Sequence, residues 1–386
     1  MPNLLLHHDG EFSTHEGLVV ATLLGRNMGW LSDEGDRALS HVAAVIRAPS
    51  SDDQLSYSQL LSGQPVNGQA IPKRYRLDVA TAADHAIIAR IADVITVYMR
   101  DQRSRRISPY DRFLATNGLP DAPNSEETDA EYTLRLKAAV DALAAPKLVD
   151  DGEMKNHQGQ RDVFGATELH GLKVFLGTNP TGMSQGQCAT CHTPPLFTDF
   201  GFHNIGISQI EYEDIHGNGR FFTLQIPSYE DQQKQSDQYL PANAAHPNRP
   251  GPYFRVPQKD QPKWADLGVW NVVHNPAIKQ ETRDRIISAI VRHNPEATTP
   301  AAQLKASVAA FRTPMLRNLG HSDPYMHHGG FNALEDVIGH YRSISQLSRI
   351  HAVQNPDRAL RNIRLTDRDV IALAAFLKSL NEDSGS

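Results

Sequence analysis

Apolar side chains recur at helical spacing in the first third of the chain. Between residues 83 and 100, the segment ADHAIIARIADVITVYMR places apolar residues three and four positions apart, as in an amphipathic helix that buries one face. This stripe consists of Ile87, Ile88, Ile91, Val94, Ile95 and Tyr98. The next apolar segment, SPYDRFL (108–114), has a proline at the first position of a turn or short helix.

Two more helices are predicted in the second half of the chain. GATELHGLKVFLG (165–177) carries apolar residues at helical spacing and ends at a glycine, which commonly follows a last helical turn. LTDRDVIALAAFLKSL (365–380) opens with Thr366 and Asp369 in capping-box spacing and then places its apolar residues on one face. No strand-like alternation and no usable internal repeat stands out. The pattern therefore predicts an all-α fold with long irregular loops.

Polar stretches divide the chain into segments. NGLPDAPNSEETDAE (117–131) is rich in proline and acidic residues, which indicates a surface linker. Residues 225–263 are rich in glutamine and proline and long for a connection, which indicates an excursion or lid. We therefore predict an N-terminal part over residues 1–116, a linker over 117–164 and a C-terminal domain over 165–386.

Composition narrows the class of protein. The chain has 386 residues, of which 40% are hydrophobic, enough for two domains with separate cores. Its formal net charge is -6 and both signs are mixed throughout, which argues against nucleic-acid binding. No stretch approaches the roughly 18 apolar residues of a membrane-spanning helix. Residues 1–12 lack the charged leader and apolar core of a signal peptide, so we expect neither a membrane span nor an export signal in this chain.

The two cysteines carry the most specific chemical signal. They lie in CATCH, with Cys188 and Cys191 followed by His192. This spacing allows covalent haem attachment, a redox dithiol or half of a zinc site. No strand pattern flanks the motif, as a redox dithiol would require, and a zinc site would need two more ligands from distant histidines. We favour haem, because two thiols reach one porphyrin edge while the next imidazole reaches the iron. The helix before the motif and the C-terminal helix are expected to pack across each other beside it.

A second axial ligand would have to come from downstream, and two residues qualify. Met326 in PYMHHGG offers a thioether, which would raise the reduction potential, and Tyr341 in VIGHYRS offers a phenolate, which would stabilise ferric iron. Met326 could equally fill a core, and Tyr341 could be a half-buried aromatic residue. The sequence leaves this choice open. Histidines are also plentiful, but each is more often a solvated or hydrogen-bonded side chain than a ligand: His203, His216, His274, His321, His327, His328 and His340.

At this point the chain resembles the bacterial di-haem cytochrome c peroxidase family, which includes the methylamine-utilisation di-haem enzymes. Four segments carry the resemblance: LLLHHDGEF (4–12), SPYDRFL (108–114), CATCHTPPLFTDFGFHNIGI (188–207) and FRTPMLRNLGHSDPYMHHGGFNALEDVIGHY (311–341). The resemblance implies two cytochrome c-like lobes, each with one haem. No CxxCH precedes the first segment here. The first lobe is therefore expected to be incomplete and the chain to begin after a first haem motif.

The resemblance also implies roles for single residues. His192 matches the proximal ligand of the C-terminal, electron-transferring haem, and Tyr341 matches the distal position, so Tyr341 is preferred over Met326. Backbone carbonyls of Ser322 and Pro324 match a calcium site between the lobes. Arg317 is a candidate partner for a haem propionate, with a surface salt bridge as the alternative. An inter-haem tryptophan of the family makes Trp30, Trp264 and Trp270 candidate electron relays, although tryptophans more often pack in cores.

One departure from the family concerns its acid-base glutamate. The matching stretch here reads Arg26, Asn27, Met28, Gly29, and the Asn27 amide cannot shuttle a proton as a carboxylate does. This puts classical peroxide cleavage in doubt and is compatible with oxygen chemistry on an organic substrate.

The sequence therefore predicts a c-type cytochrome of the di-haem peroxidase type, with one haem c in this chain and calcium as a further ligand. It would transfer electrons and act as a peroxidase-like oxidoreductase in its full-length form. The alternatives are a di-haem oxygenase or cofactor-maturing oxidase, a non-catalytic mono-haem electron carrier, and a zinc module. Expected partners are a small redox protein or quinol-linked donor, a small oxidant such as hydrogen peroxide, and a second copy in a homodimer. Haem attachment outside the cytoplasmic membrane implies a periplasmic location for the intact protein.

Overall fold

The structure, a computed structural model, is mainly helical, as predicted. It describes residues 5–25, 28–31, 33–50, 55–65, 68–101, 106–155, 161–178, 184–240 and 251–382. The helices are α1 (His15–Leu23), α2 (Gly35–Arg47), α3 (Tyr57–Ser62), α4 (Asp84–Asp101), α5 (Pro109–Thr116), α6 (Asp129–Asp141), α7 (Ala166–Phe175), α8 (Ile207–His216), α9 (Tyr229–Lys234), α10 (Gln280–His293), α11 (Pro300–Ala306), α12 (Leu334–Arg349) and α13 (Asp367–Lys378). Within these described ranges, no helix has the length and apolar character needed to cross a membrane.

Two small antiparallel strand pairs accompany the helices, which the sequence pattern did not predict. They are formed by β1 (Val149–Lys155) with β2 (Arg161–Phe164), and by β3 (Phe202–His203) with β4 (Phe311–Arg312). The second pair is only two residues long, too short for any alternation to be visible in the sequence.

The N-terminal helices form a core of their own around α4. Ala43 and Ile46 of α2, Leu61 of α3 and Ile87 of α4 are buried together. Arg47 fixes the end of α2 to the start of α4, because its guanidinium donates to the Asp84 carboxylate at 2.8 Å and to two backbone carbonyls. The predicted amphipathic helix of residues 83–100 is thus confirmed.

The crossing of α7 and α13, predicted from the sequence, is confirmed and is unusually close. Gly171 in α7 faces the backbone of α13, so that a Cβ atom at this position would lie 2.0 Å from the Ala372 carbonyl oxygen. Phe175 and Phe376 fill the space beside this contact, with ring centroids 5.1 Å apart. The crossing sets one side of the core that surrounds the CATCH segment.

The segment predicted to be a linker, residues 117–164, is folded rather than extended. It contains α6 and the β1–β2 pair. Tyr132, Leu136 and Val140 of α6 are buried in the same core as Phe164 of β2 and the residues of α7. The helix escaped prediction because its buried positions are few and separated by polar residues. The domain boundary itself stays a prediction, although this packing favours a start before residue 117.

Much of the expected excursion, residues 225–263, also packs into a core. Tyr239 and Tyr253 surround the fully buried Trp270, with ring centroids 5.0 Å and 5.3 Å from it. Gln232 of α9 is buried as well and donates to the Trp270 carbonyl at 2.9 Å. Residues 241–250 lie outside the described residues. Buried side chains such as Gln232, Tyr239 and Tyr253 therefore anchor this segment to a core, although many of its other described residues are exposed.

Two loops share one backbone shape, although no repeat was evident in the sequence. In loop A (residues 6–12) and loop B (residues 325–331), the first and last residues form a β-bridge. A helix starts three residues after each bridge, α1 after loop A and α12 after loop B. The second and fifth residues of each loop have positive φ angles: His7 at 73° and Gly10 at 77°, and Met326 at 67° and Gly329 at 67°. The two loops are thus structural copies.

Candidate cofactor site

One cavity of about 550 Å³ lies next to the CATCH segment and brings most of the predicted site residues together. Its walls come from α7, α12, α13, β4 and both loops, and they are largely apolar. A volume of this order suits a cofactor or other small molecule. The predicted residues that line the cavity are Cys188, Cys191, His192, Ser322, Pro324, Met326 and Tyr341.

The CATCH segment forms a single tight turn. Cys188 begins a short 3-10 helix, and the backbone N–H groups of Cys191 and His192 both donate to the Cys188 carbonyl, at 3.3 Å and 2.9 Å. One helical turn therefore separates the first thiol from the imidazole, and all three side chains face the same cavity. Both cysteines are free thiols.

The hydrogen bond of His192 determines which ring nitrogen is available. Its Nδ1 atom lies 3.0 Å from the Phe197 carbonyl oxygen. Because a carbonyl only accepts, Nδ1 carries the proton, and Nε2 keeps its lone pair. Burial lowers the pKa of His192 below its usual value, against the opposing effect of the Phe197 carbonyl. A neutral imidazole oriented by its other nitrogen is the form in which histidine binds metals.

Burial also raises the pKa of both thiols. It raises the pKa of Cys188 to about 12. It raises the pKa of Cys191 too, although a hydrogen bond with His203 opposes this. Both groups are therefore protonated near neutral pH, and buried thiols of this kind resist adventitious oxidation.

Both candidate distal ligands reach the cavity. Tyr341 projects from α12, and Met326 is the second residue of loop B. Burial raises the pKa of the Tyr341 phenol well above its usual value, so the apoprotein holds it as a neutral phenol.

A buried charged cluster lies behind Cys191. His203 is held between two carboxylates, with Nε2 2.8 Å from Asp199 and Nδ1 2.7 Å from Asp357, and His293 lies 3.3 Å from Asp199. Burial opposes protonation of His203, but the two carboxylates outweigh it and raise its pKa well above the usual value. The sequence marked His203 only as one of many histidines, because Asp357 is far away in the chain.

Arg317 makes structural contacts rather than lining the cavity. Its guanidinium binds both carboxylate oxygens of Asp111 at 2.9 Å and donates to the Pro195 carbonyl at 3.0 Å. Arg317 therefore does form a salt bridge, as the alternative held, but its side chain is buried rather than at the surface. Its role as a propionate partner stays a prediction.

Arg312 is a cation at the cavity that sequence reasoning missed. It lies in β4 and lines the cavity, with its guanidinium carbon 5.2 Å from the Phe200 ring centroid. Its Nε atom is buried and has no hydrogen-bond partner within the described residues. Burial lowers the pKa of its guanidinium, while the charge of Asp199 opposes this effect.

The candidate relay tryptophans lie away from the cavity lining. Trp270 is in the core described above, Trp264 stacks under Arg255 at 4.8 Å, and Trp30 contacts His41. The cavity wall contains the histidine rings of His8 and His327 instead.

The remaining predicted residues have ordinary contacts or lie outside the described part of the chain. His340 Nε2 donates to the Ile205 carbonyl at 2.8 Å, and His216 and His274 lie against tyrosine rings. The Ser322 hydroxyl donates to the Asn318 carbonyl at 3.4 Å. Arg26 and Asn27, and the side chain of His321, lie outside the described residues. The calcium site at Ser322 and Pro324 stays a prediction.

Comparison with known proteins gives a relative among the peroxidases. No family model matches the chain. A cytochrome-c peroxidase, IdrP2, from Pseudomonas sp. (strain SCT) is 24% identical over 214 residues, which cover 55% of this chain and 39% of that protein. The match therefore spans well under half of the curated relative.

Similar solved structures share low sequence identity with the chain. The diheme peroxidase BthA from Burkholderia thailandensis E264 is 16% identical with a TM-score of 0.44, covering 97% of this chain and 65% of that one. A single-residue variant of it is 19% identical with a TM-score of 0.43, covering 97% and 64%. A MauG-like protein associated with microbial copper homeostasis is 15% identical with a TM-score of 0.41, covering 98% and 69%.

Proposed function

We propose that this chain, a member of the bacterial di-haem peroxidase family, binds one haem c covalently and transfers electrons through it. The observation that carries the proposal is the arrangement at the cavity. Cys188, Cys191 and His192 line one largely apolar space of about 550 Å³, and the Nδ1 atom of His192 is engaged by the Phe197 carbonyl. This donor set fits haem: two thiols for the porphyrin edge and a neutral imidazole for the iron.

Each residue of the site has a defined task. The Phe197 carbonyl accepts a hydrogen bond from His192 Nδ1, which would leave Nε2 for the iron. When bound, the haem supplies reversible one-electron oxidation and reduction of its iron. Leu373 and Leu377 of α13 exclude water from one side, which favours electron transfer without side reactions. Arg312 supplies a buried positive charge for the haem carboxylates.

Zinc binding at the CATCH segment is less well supported. His203 lies beside Cys191 and Asp357 and could join them around an ion. Its two ring nitrogens, however, already lie within 2.8 Å of the Asp199 and Asp357 carboxylates, so a zinc ion would have to displace one of these contacts.

Peroxidase activity is proposed for the full-length protein. Reduction of one hydrogen peroxide molecule to two waters consumes two electrons and two protons. A small redox protein or quinol-linked donor would supply the electrons, and a haem held by Cys188, Cys191 and His192 would supply one-electron chemistry to accept them. The peroxidase name of the curated relative supports this direction. A periplasmic location, a calcium ion at Ser322 and Pro324, and a homodimer belong to the same proposal.

An oxidase or oxygenase is the second candidate, and Tyr341 favours it. Tyr341 lines the same cavity as Cys188, Cys191 and His192 and would be available there as an iron ligand. A phenolate ligand would stabilise ferric iron, in contrast to the thioether of a fast electron carrier. A mono-haem carrier without catalysis would instead be favoured by Met326 as the ligand.

The decisive experiment measures covalent haem per chain. The chain is fused to a signal peptide and coexpressed with haem-attachment machinery, and intact mass and a pyridine haemochrome spectrum are recorded. One haem per chain is expected, and none in the double variant Cys188→Ala plus Cys191→Ala. The variant His85→Gln, at an exposed position on α4, should keep the full haem content. A folded parent chain without haem would contradict the proposal.

A further inference from the structure

Loop A holds a second group of metal-binding side chains, separate from the CATCH segment. His7, His8 and Asp9 each offer one donor atom, and these atoms lie within 4.8 Å of one another. Two imidazoles and one carboxylate are ligands that first-row transition metals accept readily.

An orphaned oxygen points to a cation at this place. Asp9 is completely buried. Its Oδ1 atom lies 3.1 Å from His7 Nδ1 and accepts the Glu11 backbone N–H at 3.1 Å. Its Oδ2 atom has no hydrogen-bond partner within the part of the chain that the structure describes. Buried carboxylate oxygens are rarely left without a partner, and a bound cation would satisfy this one.

The residues and the space around Asp9 suit a bound metal ion. The His7 side chain is 24% exposed and both histidines line the cavity, so an ion has a path to the site. His8 Nε2 lies 3.6 Å from Asp266 Oδ2, so a second negative charge beside the group would favour a bound cation.

Loop B shows that the fold of the loop does not itself require these side chains. In the copy, Met326 stands where loop A has His7, and His328 stands where loop A has Asp9. The shared backbone therefore carries a donor set in loop A that is absent at the same positions of loop B.

We propose that His7, His8 and Asp9 bind one divalent first-row transition metal ion. Three protein ligands leave at least one coordination position for water, as in zinc sites with three side-chain ligands. The ion would stand in the cavity wall and hold loop A against it. The site uses none of the residues proposed to attach haem, although His7 and His8 line the same cavity.

The test uses zinc alone, because it is redox-inert. The full chain is stripped with a chelator and titrated with Zn²⁺ by calorimetry. One zinc per chain is expected, with binding weakened at least tenfold in Asp9→Asn and in His7→Gln. The matched controls are His328→Gln, in the equivalent loop, and His85→Gln on the surface of α4, and both should bind like the parent. The proposal would be overturned if the parent chain and Asp9→Asn bound Zn²⁺ with equal affinity. It would also be overturned if the control variants lost as much affinity for Zn²⁺ as Asp9→Asn.

A direct measurement covers the case in which the Asp9 variant does not fold. X-ray absorption at the zinc edge of the unaltered chain should reveal imidazole scattering and nitrogen or oxygen ligands at about 2.0–2.1 Å. The zinc edge is distinct from the iron edge, so bound haem does not interfere. Zinc bound by sulfur ligands, or no zinc uptake by the folded chain, would contradict the proposal.

Discussion

The ring of His8 lies parallel to the ring of His327, with centroids 5.6 Å apart and planes inclined by 18°. These two residues occupy the same position in the two copied loops. The His327 ring continues the stack onto Phe311, at 3.7 Å. The loops therefore meet through equivalent side chains, and the contact forms part of the cavity wall.

His192 is predicted to be an axial ligand of the iron, and imidazole added to the solution should be able to take its place. In His192→Gly, haem should stay bound through both cysteines, while the visible spectrum changes because the imidazole is lost. Added imidazole should restore the original spectrum. Absorption spectra with and without imidazole measure this, and His328→Gln, at an exposed position, serves as the control. An unchanged spectrum in His192→Gly would rule out this ligand.

Tyr341 is predicted to be the distal ligand. In Tyr341→Phe, the ferric spectrum should change and the reduction potential should rise, because a phenolate no longer stabilises ferric iron. Tyr325→Phe is the matched control, since Tyr325 also lines the cavity but its hydroxyl donates to the Leu319 carbonyl at 3.1 Å. If Met326→Leu alters the spectrum and Tyr341→Phe does not, Met326 is the ligand.

Arg317 is expected to contribute strongly to stability. Replacement in Arg317→Met leaves the Asp111 carboxylate buried without its bidentate partner, which should cost about 3–5 kcal/mol. Urea denaturation gives the free energy of unfolding. Arg37→Met, whose guanidinium is 77% exposed beside Glu34, should change it by less than about 0.5 kcal/mol. Equal effects in the two variants would refute the structural role.

The cluster around His203 predicts a pH dependence of stability. Burial opposes ionisation of Asp199, but the hydrogen bond and charge of His203 lower its pKa from 3.8 to about 2. A depressed folded-state pKa means that this contribution is present above the ordinary value and is lost as the pH falls from about 4 towards 2.

The same cluster also predicts a loss of stability at high pH. Because the folded-state pKa of His203 is raised, its contribution is complete below its ordinary value of 6.5 and declines as the pH rises through the raised value. Unfolding curves at several pH values should show both declines in the parent chain. His203→Gln should flatten both, while His85→Gln should leave them in place.

Gly171 is predicted to tolerate no side chain. In Gly171→Ala, the new Cβ would lie 2.0 Å from the Ala372 carbonyl oxygen, so α7 and α13 must separate, at a cost of about 1–3 kcal/mol. Gly339→Ala on α12 is the matched control, because no atom lies within 4 Å of its added Cβ. That change should raise stability by up to about 1 kcal/mol. Denaturant midpoints of the two variants should therefore move in opposite directions.

The sequence predicted those features that depend on residues close to one another in the chain. The stripe around Ile87 predicted α4, the Thr366 cap predicted the start of α13, and the CATCH spacing placed Cys188 and His192 together. Each depends on residues within a few turns of one another.

The features that were missed depend on distant contacts. Asp357 meets His203 across a separation of 154 residues, and Arg317 meets Asp111 across 206. The copied loops escaped notice because their likeness lies mainly in φ angles, while only three of their seven residues are identical. The burial of α6 depends on a core that α7 and α13 supply, and its own sequence does not reveal it.

The position of α13 has a consequence for the order in which the protein matures. This helix is the last one in the described part of the chain, yet Leu373 and Leu377 form one wall of the cavity beside Cys188. A chain emerging from synthesis or export presents both thiols before that wall exists. The proposed haem attachment would therefore take place at an open, accessible CATCH turn, and the arrival of the final helix would then close the domain around it.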